Sequence, residues 1–230
     1  MGDQYFPVQG HFCKTQLESL QPQRQLNGSV LDYFAHILDR TTAHHVIVGP
    51  QMSCYFIQYP KDFARKHGEL LERIKDTNKL SFIYCFKHHY FVFSADRINA
   101  SLQYFDSLNS KYLLTTYTSL ALQLDNFFVL AWGMKLKTQF YTSFAQPFFS
   151  QNCGPFALHH LLKLSYSQER YDPSTNPAGP IFYDFFRNLL NIYVKTRYLR
   201  KLKGEQEHFP FSAFSLKTMS KFCSFLCDDY

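Results

Sequence analysis

The stretch QPFFSQNCGPF, residues 146–156, decides how this chain is organised, because it places a cysteine four positions before the apolar segment 157–164. The pattern predicts an irregular loop that becomes a helix at Cys153. Unpaired backbone N–H groups and the macrodipole at a helix N-terminus favour negative charge. Such a position favours the thiolate, which is the nucleophilic form of cysteine.

Two neighbours of the cysteine fit the same chemistry. Gly154 lacks a side chain that would crowd a substrate carbonyl approaching the sulfur. Gln146 could bring an amide N–H donor to that carbonyl, as an oxyanion hole requires. A cysteine at a loop–helix junction is also often a small buried packing residue. A catalytic role for Cys153 therefore requires a base and an acid from elsewhere in the chain.

Composition limits the class of protein. A chain of 230 residues with 46% hydrophobic and 18% aromatic residues can bury one substantial core and is not disordered. No run approaches the roughly 18 apolar residues of a membrane span, and the N-terminus lacks the pattern of a secretory signal. We expect one α+β domain and no membrane association.

The six cysteines are irregularly placed, which predicts reduced thiols rather than a disulfide scaffold. They stand at positions 13, 54, 85, 153, 223 and 227. An intracellular location, in the cytoplasm or nucleus, follows as an expectation. The formal charge of +6 and pI near 8.9 permit an acidic partner such as nucleic acid without establishing one.

Hydrophobic periodicity predicts the order of elements. A helix capped by Asn27 or Ser29 is followed by a short strand at 46–48 that Gly49 and Pro50 close. An amphipathic segment at 61–76 follows, and then three strands that form an antiparallel meander at 79–86, 89–94 and 101–105. A mostly helical segment at 112–130, a strand at 135–144, the helix from Cys153, and helices at 181–202 and 215–226 complete the chain.

Several histidines could serve as the base for Cys153. His159 and His160 follow on the same helix, where their side chains point away from its first turn. His208 lacks a nearby Asn or Asp to orient it, so an order of Cys, His and Asn has weak support.

His89 and Asp106 are better placed as base and acid. His89 opens one predicted strand and Asp106 closes its neighbour, 17 residues later, which suits two adjacent antiparallel strands. A carboxylate there would orient the imidazole and stabilise its protonated form. The alternative is a strand-end histidine and a turn aspartate. Alternation places His88 on the opposite strand face, so only one histidine of this pair can meet the cysteine.

These four residues, in the order His89, Asp106, Gln146 and Cys153, resemble the cysteine peptidases that comprise adenovirus-type proteases (adenain) and SUMO-specific proteases. The seven-residue step from Gln to Cys is that of adenain. The segment LNGSVLDYF, residues 26–34, is similar to the N-terminal helix signature of the SUMO proteases instead. The resemblance covers about residues 25–165.

The resemblance implies a papain-like α+β fold, with a mixed or antiparallel sheet flanked by helices and the nucleophile at a helix N-terminus. Residues 1–25 would be an extension, 25–165 the catalytic core and 166–230 a helical C-terminal part. It also implies cleavage after glycine through an acyl-enzyme, with Tyr90 and Gly154 lining the substrate slot. Tyr90 departs from the Trp that is usual after the catalytic histidine. Gln151 is a second oxyanion candidate, but its position favours a loop role.

Two further features could form sites. The His-His pairs lack cysteine or carboxylate partners at zinc spacing, so no metal is expected. The densest basic cluster comprises Lys195, Arg197, Arg200, Lys201 and Lys203. It is typical of a solvated helix end. Because adenain uses DNA and a viral peptide as cofactors, the resemblance implies a DNA-binding role for the cluster and an activating peptide, although the chemistry itself requires no cofactor.

We predict the first of three functions and keep the other two as alternatives. The first is a virus-type maturation protease that cleaves precursors after glycine, in a host nucleus, cytoplasm or virion. The second is an isopeptidase that removes ubiquitin or SUMO-like modifiers. The third is a catalytically silent module that binds a ubiquitin-like protein or nucleic acid. The seven-residue interval and short chain favour the first, and the N-terminal helix favours the second.

Overall fold

The computed structural model of the chain describes residues 14–21, 23–42, 44–109, 118–141, 145–146 and 150–166. Within these residues a five-stranded mixed sheet is flanked by helices on both faces, which confirms the predicted α+β fold class. None of the helices in this part of the chain combines the length and apolar character that a membrane crossing requires.

The sheet has the strand order β1-β2-β3-β4-β5. Its strands are β1 (His45–Val48), β2 (Lys79–Phe86), β3 (His89–Asp96), β4 (Ser101–Phe105) and β5 (Lys137–Tyr141). Strands β2, β3 and β4 form the predicted antiparallel meander, and the two edge strands pair parallel to their neighbours. The segment 135–144 contains the expected strand over a shorter span.

The helices are α1 (Lys14–Glu18), α2 (Gly28–Thr41), α3 (Pro50–Gln58), α4 (Pro60–Lys66), α5 (Gly68–Asp76), α6 (Thr118–Trp132) and α7 (Cys153–Tyr166). Of the two predicted caps of α2, Asn27 fills the role, because its side chain accepts a hydrogen bond from the backbone N–H of Ser29 at 2.9 Å.

Parallel neighbours need a crossover connection, and helices supply it at both edges of the sheet. Helices α3, α4 and α5 connect β1 to β2, and α6 connects β4 to β5. All four pack on one face of the sheet, where Phe56 stacks on Phe127 at 4.2 Å. Helices α2 and α7 pack on the opposite face. The nucleophile candidate therefore lies at the start of a helix that is anchored by its own core.

Some boundaries differ from the predictions. The segment 61–76 is two helices, because His67 leaves helical geometry (φ −127°, ψ 43°) and Gly68, a weak helix former, follows it. Helix α3 was not predicted, since the proline at its first position was interpreted only as the end of a strand. The helix expected at 112–130 begins at Thr118, and 112–117 lie outside the described residues.

Other predictions fall entirely outside the described residues. These are the helices at 181–202 and 215–226, the basic cluster of Lys195, Arg197, Arg200, Lys201 and Lys203, and the residues His208, Cys13, Cys223 and Cys227. Within the described part of the chain Cys54, Cys85 and Cys153 are free thiols.

Candidate active site

The sheet brings His89 and Asp106 together. A two-residue turn at Lys87 and His88, both with positive φ, reverses the chain into β3, and His89 is its first residue. Asp106 comes directly after β4, whose last residue pairs with Val92 of β3. The two side chains consequently meet at one end of the sheet, with His89 Nε2 at 2.6 Å from Asp106 Oδ1.

Asp106 is held from three sides. Its side chain is only 1% exposed, and Oδ1 also accepts the backbone N–H of Leu108 at 2.9 Å. Oδ2 accepts the hydroxyl of Tyr104 at 3.0 Å. Burial raises the pKa of Asp106, but the hydrogen bonds from His89, Leu108 and Tyr104 and the charge of His89 outweigh it and hold the pKa below its ordinary value.

His89 is the more accessible member of the pair, with 18% of its side chain exposed. Burial lowers the pKa of His89, while hydrogen bonds to Asp106 and to Cys153, with the charges of both, raise it to about 9. Because Nε2 is engaged by Asp106, Nδ1 is the ring nitrogen left for the cysteine. The imidazole thus bridges acid and thiol, as a catalytic base must.

Cys153 is the first residue of α7, as predicted, and is buried. The backbone N–H of Phe156 donates to the carbonyl of Asn152 at 2.9 Å, which begins the helix. A Cβ at Gly154 would lie 2.8 Å from Leu26 Cβ, closer than packed carbon atoms approach. Leu26 therefore explains the glycine by close packing. The predicted role of Gly154 in a substrate slot stays a prediction.

Gln146 is fixed by two serines. Its backbone N–H donates to the carbonyl of Ser107 at 2.8 Å, and the hydroxyl of Ser107 donates to its Oε1 at 2.9 Å. Its Nε2 donates to the carbonyl of Ser150 at 3.2 Å. An amide nitrogen carries two protons, so one remains for another acceptor. The residue predicted as the oxyanion donor is thus tied to the segment that carries Asp106.

Tyr90, the other predicted slot residue, is buried and lies against the same core as Cys153. It faces Cys85 across β2 and β3, and the two side chains are hydrogen-bonded. Its hydroxyl oxygen lies 3.5 Å from where a Cβ on Gly28 would stand. The start of α2 therefore closes over the tyrosine, and its slot role also stays a prediction.

The remaining histidines are placed elsewhere. The prediction that His88 lies on the opposite strand face is wrong, because His88 belongs to the turn before β3. Its side chain is exposed, and its backbone carbonyl accepts a hydrogen bond from the side-chain amide of Gln25. His159 and His160 are buried in α7, and burial lowers the pKa of both. Gln151 is exposed in the loop before Asn152. Among the described residues no group of His, Cys, Asp and Glu could hold a metal ion.

Three residues of the site were not singled out from the sequence. Tyr104 shares a strand face with Asp106 because it lies two positions earlier, and strand alternation could have indicated this. Leu26 belongs to the segment 26–34 that resembles the SUMO proteases, and Ser107 follows Asp106, but their contacts with Gly154 and Gln146 depend on tertiary packing. Periodicity carries no signal for such contacts.

Comparison with known proteins places the fold. No protein-family model and no curated protein matches the sequence. The SUMO protease Ulp1 with its catalytic cysteine oxidised to a sulfenic acid superposes with a TM-score of 0.68 at 15% identity, over 82% of this chain and 85% of that one. The C-terminal Ulp1 protease domain in complex with Smt3, the yeast ortholog of SUMO, gives 0.66 at 16% identity, over 80% and 83%.

A third structure, the Ulp1-like SUMO protease catalytic domain of Chaetomium thermophilum, gives a TM-score of 0.52 at 14% identity, over 76% of this chain and 74% of that one. At these identities the likeness concerns the fold. The predicted resemblance to this group of peptidases is confirmed at that level: the chain has the fold of the Ulp1-type proteases.

Proposed function

We propose that this protein is a cysteine peptidase that cleaves after glycine at the C-terminal tail of a ubiquitin-like modifier, releasing it from a conjugate or precursor. One observation carries the proposal. His89 joins Asp106, 2.6 Å from its Nε2, to Cys153 at the first turn of α7. A packing cysteine needs neither a hydrogen-bonded imidazole nor a buried carboxylate behind that imidazole.

The chemistry follows from these groups. The thiolate of Cys153 attacks the glycine carbonyl carbon, and the carbonyl electron pair moves to oxygen. The free N–H of Gln146 and the backbone N–H of Cys153 stabilise this oxyanion. When the oxyanion collapses, the C–N bond breaks and the imidazolium of His89 protonates the departing amine. A thioester to Cys153 remains.

Water completes the cycle. The neutral His89 removes a proton from a water molecule that attacks the thioester carbonyl. The C–S bond then breaks, which restores the thiolate beside the imidazolium and releases the glycine as a carboxylic acid that loses its proton to solvent. Asp106 keeps the imidazole oriented throughout and stabilises its charged form. Apart from the substrate, every group in these reaction steps belongs to the chain or to water.

The choice of a modifier rests on fold and shape. The fold is shared with Ulp1, whose protease domain was captured with Smt3. The resemblance that identified the site also implies a glycine at the scissile bond. Burial of Cys153 and the close contact of Leu26 with Gly154 agree with a narrow approach to the sulfur. An extended glycine-containing tail is the peptide that such an approach admits.

The test is a panel of substrates on the full chain. We expect turnover of ubiquitin or SUMO fused through its C-terminal glycine to a fluorophore, and covalent capture of Cys153 by the same modifier bearing a C-terminal electrophile. Cys153→Ala should abolish both. Turnover that survives in Cys153→Ala contradicts the assignment, and a wild-type chain that binds a modifier without turnover supports the silent binding module instead.

A second candidate is a precursor-processing endopeptidase of the adenain type. The seven-residue step from Gln146 to Cys153 favours it. It predicts cleavage of short glycine-containing peptides, and stimulation by DNA through the basic cluster around Arg200. Running the same panel with short peptides, with and without duplex DNA, separates the two candidates. DNA binding through Lys and Arg should fall steeply as salt rises.

A further inference from the structure

We infer that Ser107 is a positioning residue for the oxyanion donor Gln146. Two adjacent residues then orient the site: Asp106 orients the base His89, and Ser107 orients Gln146. This inference rests on the proposed function and assigns to it a residue outside the His, Asp, Gln and Cys set. Asp106 is hydrogen-bonded to His89. The carbonyl and the hydroxyl of Ser107 are hydrogen-bonded to the backbone N–H and the side-chain oxygen of Gln146.

The polarity of the Gln146 contacts fixes which way its amide faces. The carbonyl of Ser150 can only accept a hydrogen bond, so the amide nitrogen must face it, at 3.2 Å. The amide oxygen then faces Ser107, whose hydroxyl must act as donor, at 2.9 Å. With both contacts made, only one orientation of the amide satisfies its partners. A reversed amide would set two acceptors, Oε1 and the Ser150 carbonyl, against each other.

Ser107 is well suited to hold that orientation. Its side chain is fully buried, and its carbonyl accepts the backbone N–H of Gln146 at 2.8 Å. Ser107 therefore makes hydrogen bonds to both the main chain and the side-chain amide of Gln146. A donor that is already oriented costs no reorganisation when charge develops on the carbonyl oxygen. Loss of the hydroxyl would leave Gln146 in place but free to turn its amide.

A positioning role for Ser107 should show in the kinetics. Ser107→Ala should lower kcat by about tenfold with KM unchanged, less than the roughly hundredfold or greater loss expected when the donor itself is removed in Gln146→Ala. In the Gln146→Ala background, Ser107→Ala should change kcat by less than about twofold, because residues that act through one another are not additive. Ser107→Cys, which keeps a weak donor of similar size, should recover part of the activity.

Two controls separate positioning from general damage. Alkylation of Cys153 by iodoacetamide forms no oxyanion, so its rate should be the same in Ser107→Ala and wild type. Ser81→Ala removes an equally buried hydroxyl, hydrogen-bonded to His45 and Ser94 away from the site, and should leave kcat unchanged. Thermal unfolding of each variant reports whether it folds.

The outcomes distinguish the inference from the proposed function. If the wild-type chain turns over no glycine-linked substrate, the proposed function fails. If the wild type is active but Ser107→Ala equals it, if its loss multiplies fully with that of Gln146→Ala, or if alkylation falls in parallel with turnover, the inference about Ser107 is wrong while the peptidase assignment stands.

Discussion

The hydroxyl of Tyr104 donates to Oδ2 of Asp106 at 3.0 Å, deep in the core, and leaves Oδ1 to face His89. The arrangement follows from strand geometry, because residues two apart on β4 share a face. A carboxylate fixed through one oxygen presents the other at a defined angle to the imidazole. Tyr104 therefore bears on catalysis without reaching the substrate.

Tyr104→Phe should lower kcat/KM by several-fold, in the range of a hydrogen bond of about 1 kcal/mol. The hydrogen bond from Tyr104 lowers the pKa of Asp106, so its loss should also move the acid limb of the pH profile to higher pH. The profile of kcat/KM between pH 4 and 10 checks both effects. Tyr84→Phe, at another buried tyrosine of the same core, is the matched control; an equal effect there would contradict the specific role of Tyr104.

The pH profile should also have a basic limb set by His89. The pKa of His89 is raised to about 9 by Asp106 and Cys153 against the effect of burial, so the imidazolium that protonates the departing amine is lost as pH rises through about 9. Asp106→Asn removes the charge that helps to raise this pKa, and the basic limb should then move to lower pH. An unchanged limb in Asp106→Asn would contradict the assignment of this titration to His89.

The buried Asp32 should make the free energy of unfolding depend on pH. It is buried, Oδ1 accepts the backbone N–H of Gln51 at 3.1 Å, and Oδ2 has no hydrogen-bond partner among the described residues. Burial raises its pKa from 3.8 to about 7. Between these values the folded chain holds a proton that the unfolded chain has lost, so the free energy of unfolding falls as pH rises through this window.

Asp32→Asn removes that penalty. We expect the variant to exceed wild type in the free energy of unfolding by up to about 4 kcal/mol at pH 8, since the pKa of Asp32 is raised from 3.8 to about 7 and each pKa unit corresponds to about 1.4 kcal/mol, and to match it near pH 4. Urea unfolding across this pH range measures the difference. Asp76→Asn, at the exposed end of α5, is the control; a constant offset for Asp32→Asn at all pH values would contradict the prediction.

Two glycines at helix starts should respond in opposite ways to alanine. A Cβ on Gly49 would lie 2.5 Å from Asp32 Cα, which is main chain and cannot turn aside, whereas nothing lies within 4 Å of the corresponding position on Gly68. Gly49→Ala should destabilise by about 2 kcal/mol or more through overpacking. Gly68→Ala should be neutral or stabilising by up to about 1 kcal/mol. Urea unfolding of both variants decides, and equal effects would contradict the steric argument.

The sequence predicted those parts of the site that depend on local pattern. The spacing of His89 and Asp106 on neighbouring strands, and the helix that begins at Cys153, both follow from periodicity. The turn at His88 did not, since two residues with positive φ without glycine or asparagine give no turn signal. Helix α3 was missed because Pro50 fits a helix start as well as a strand end.

Contacts between distant segments were beyond sequence reasoning. The hydroxyl of Ser107 could have faced solvent, the core or any neighbouring acceptor, and only the packed loop shows that it meets Gln146. The same holds for Leu26 above Gly154. Such contacts depend on how elements pack in three dimensions, which the order of apolar residues along the chain does not encode.

The contact of Leu26 with Gly154 also bears on how the protein is made. Leu26 is synthesised well before α7. The packing of Leu26 beside Cys153 can therefore form only after α7 has been synthesised. A shorter nascent chain can hold the hairpin of His89 without the thiol it serves. Under the proposed function, the peptidase is therefore inert toward neighbouring nascent proteins until its own α7 has been synthesised and packed.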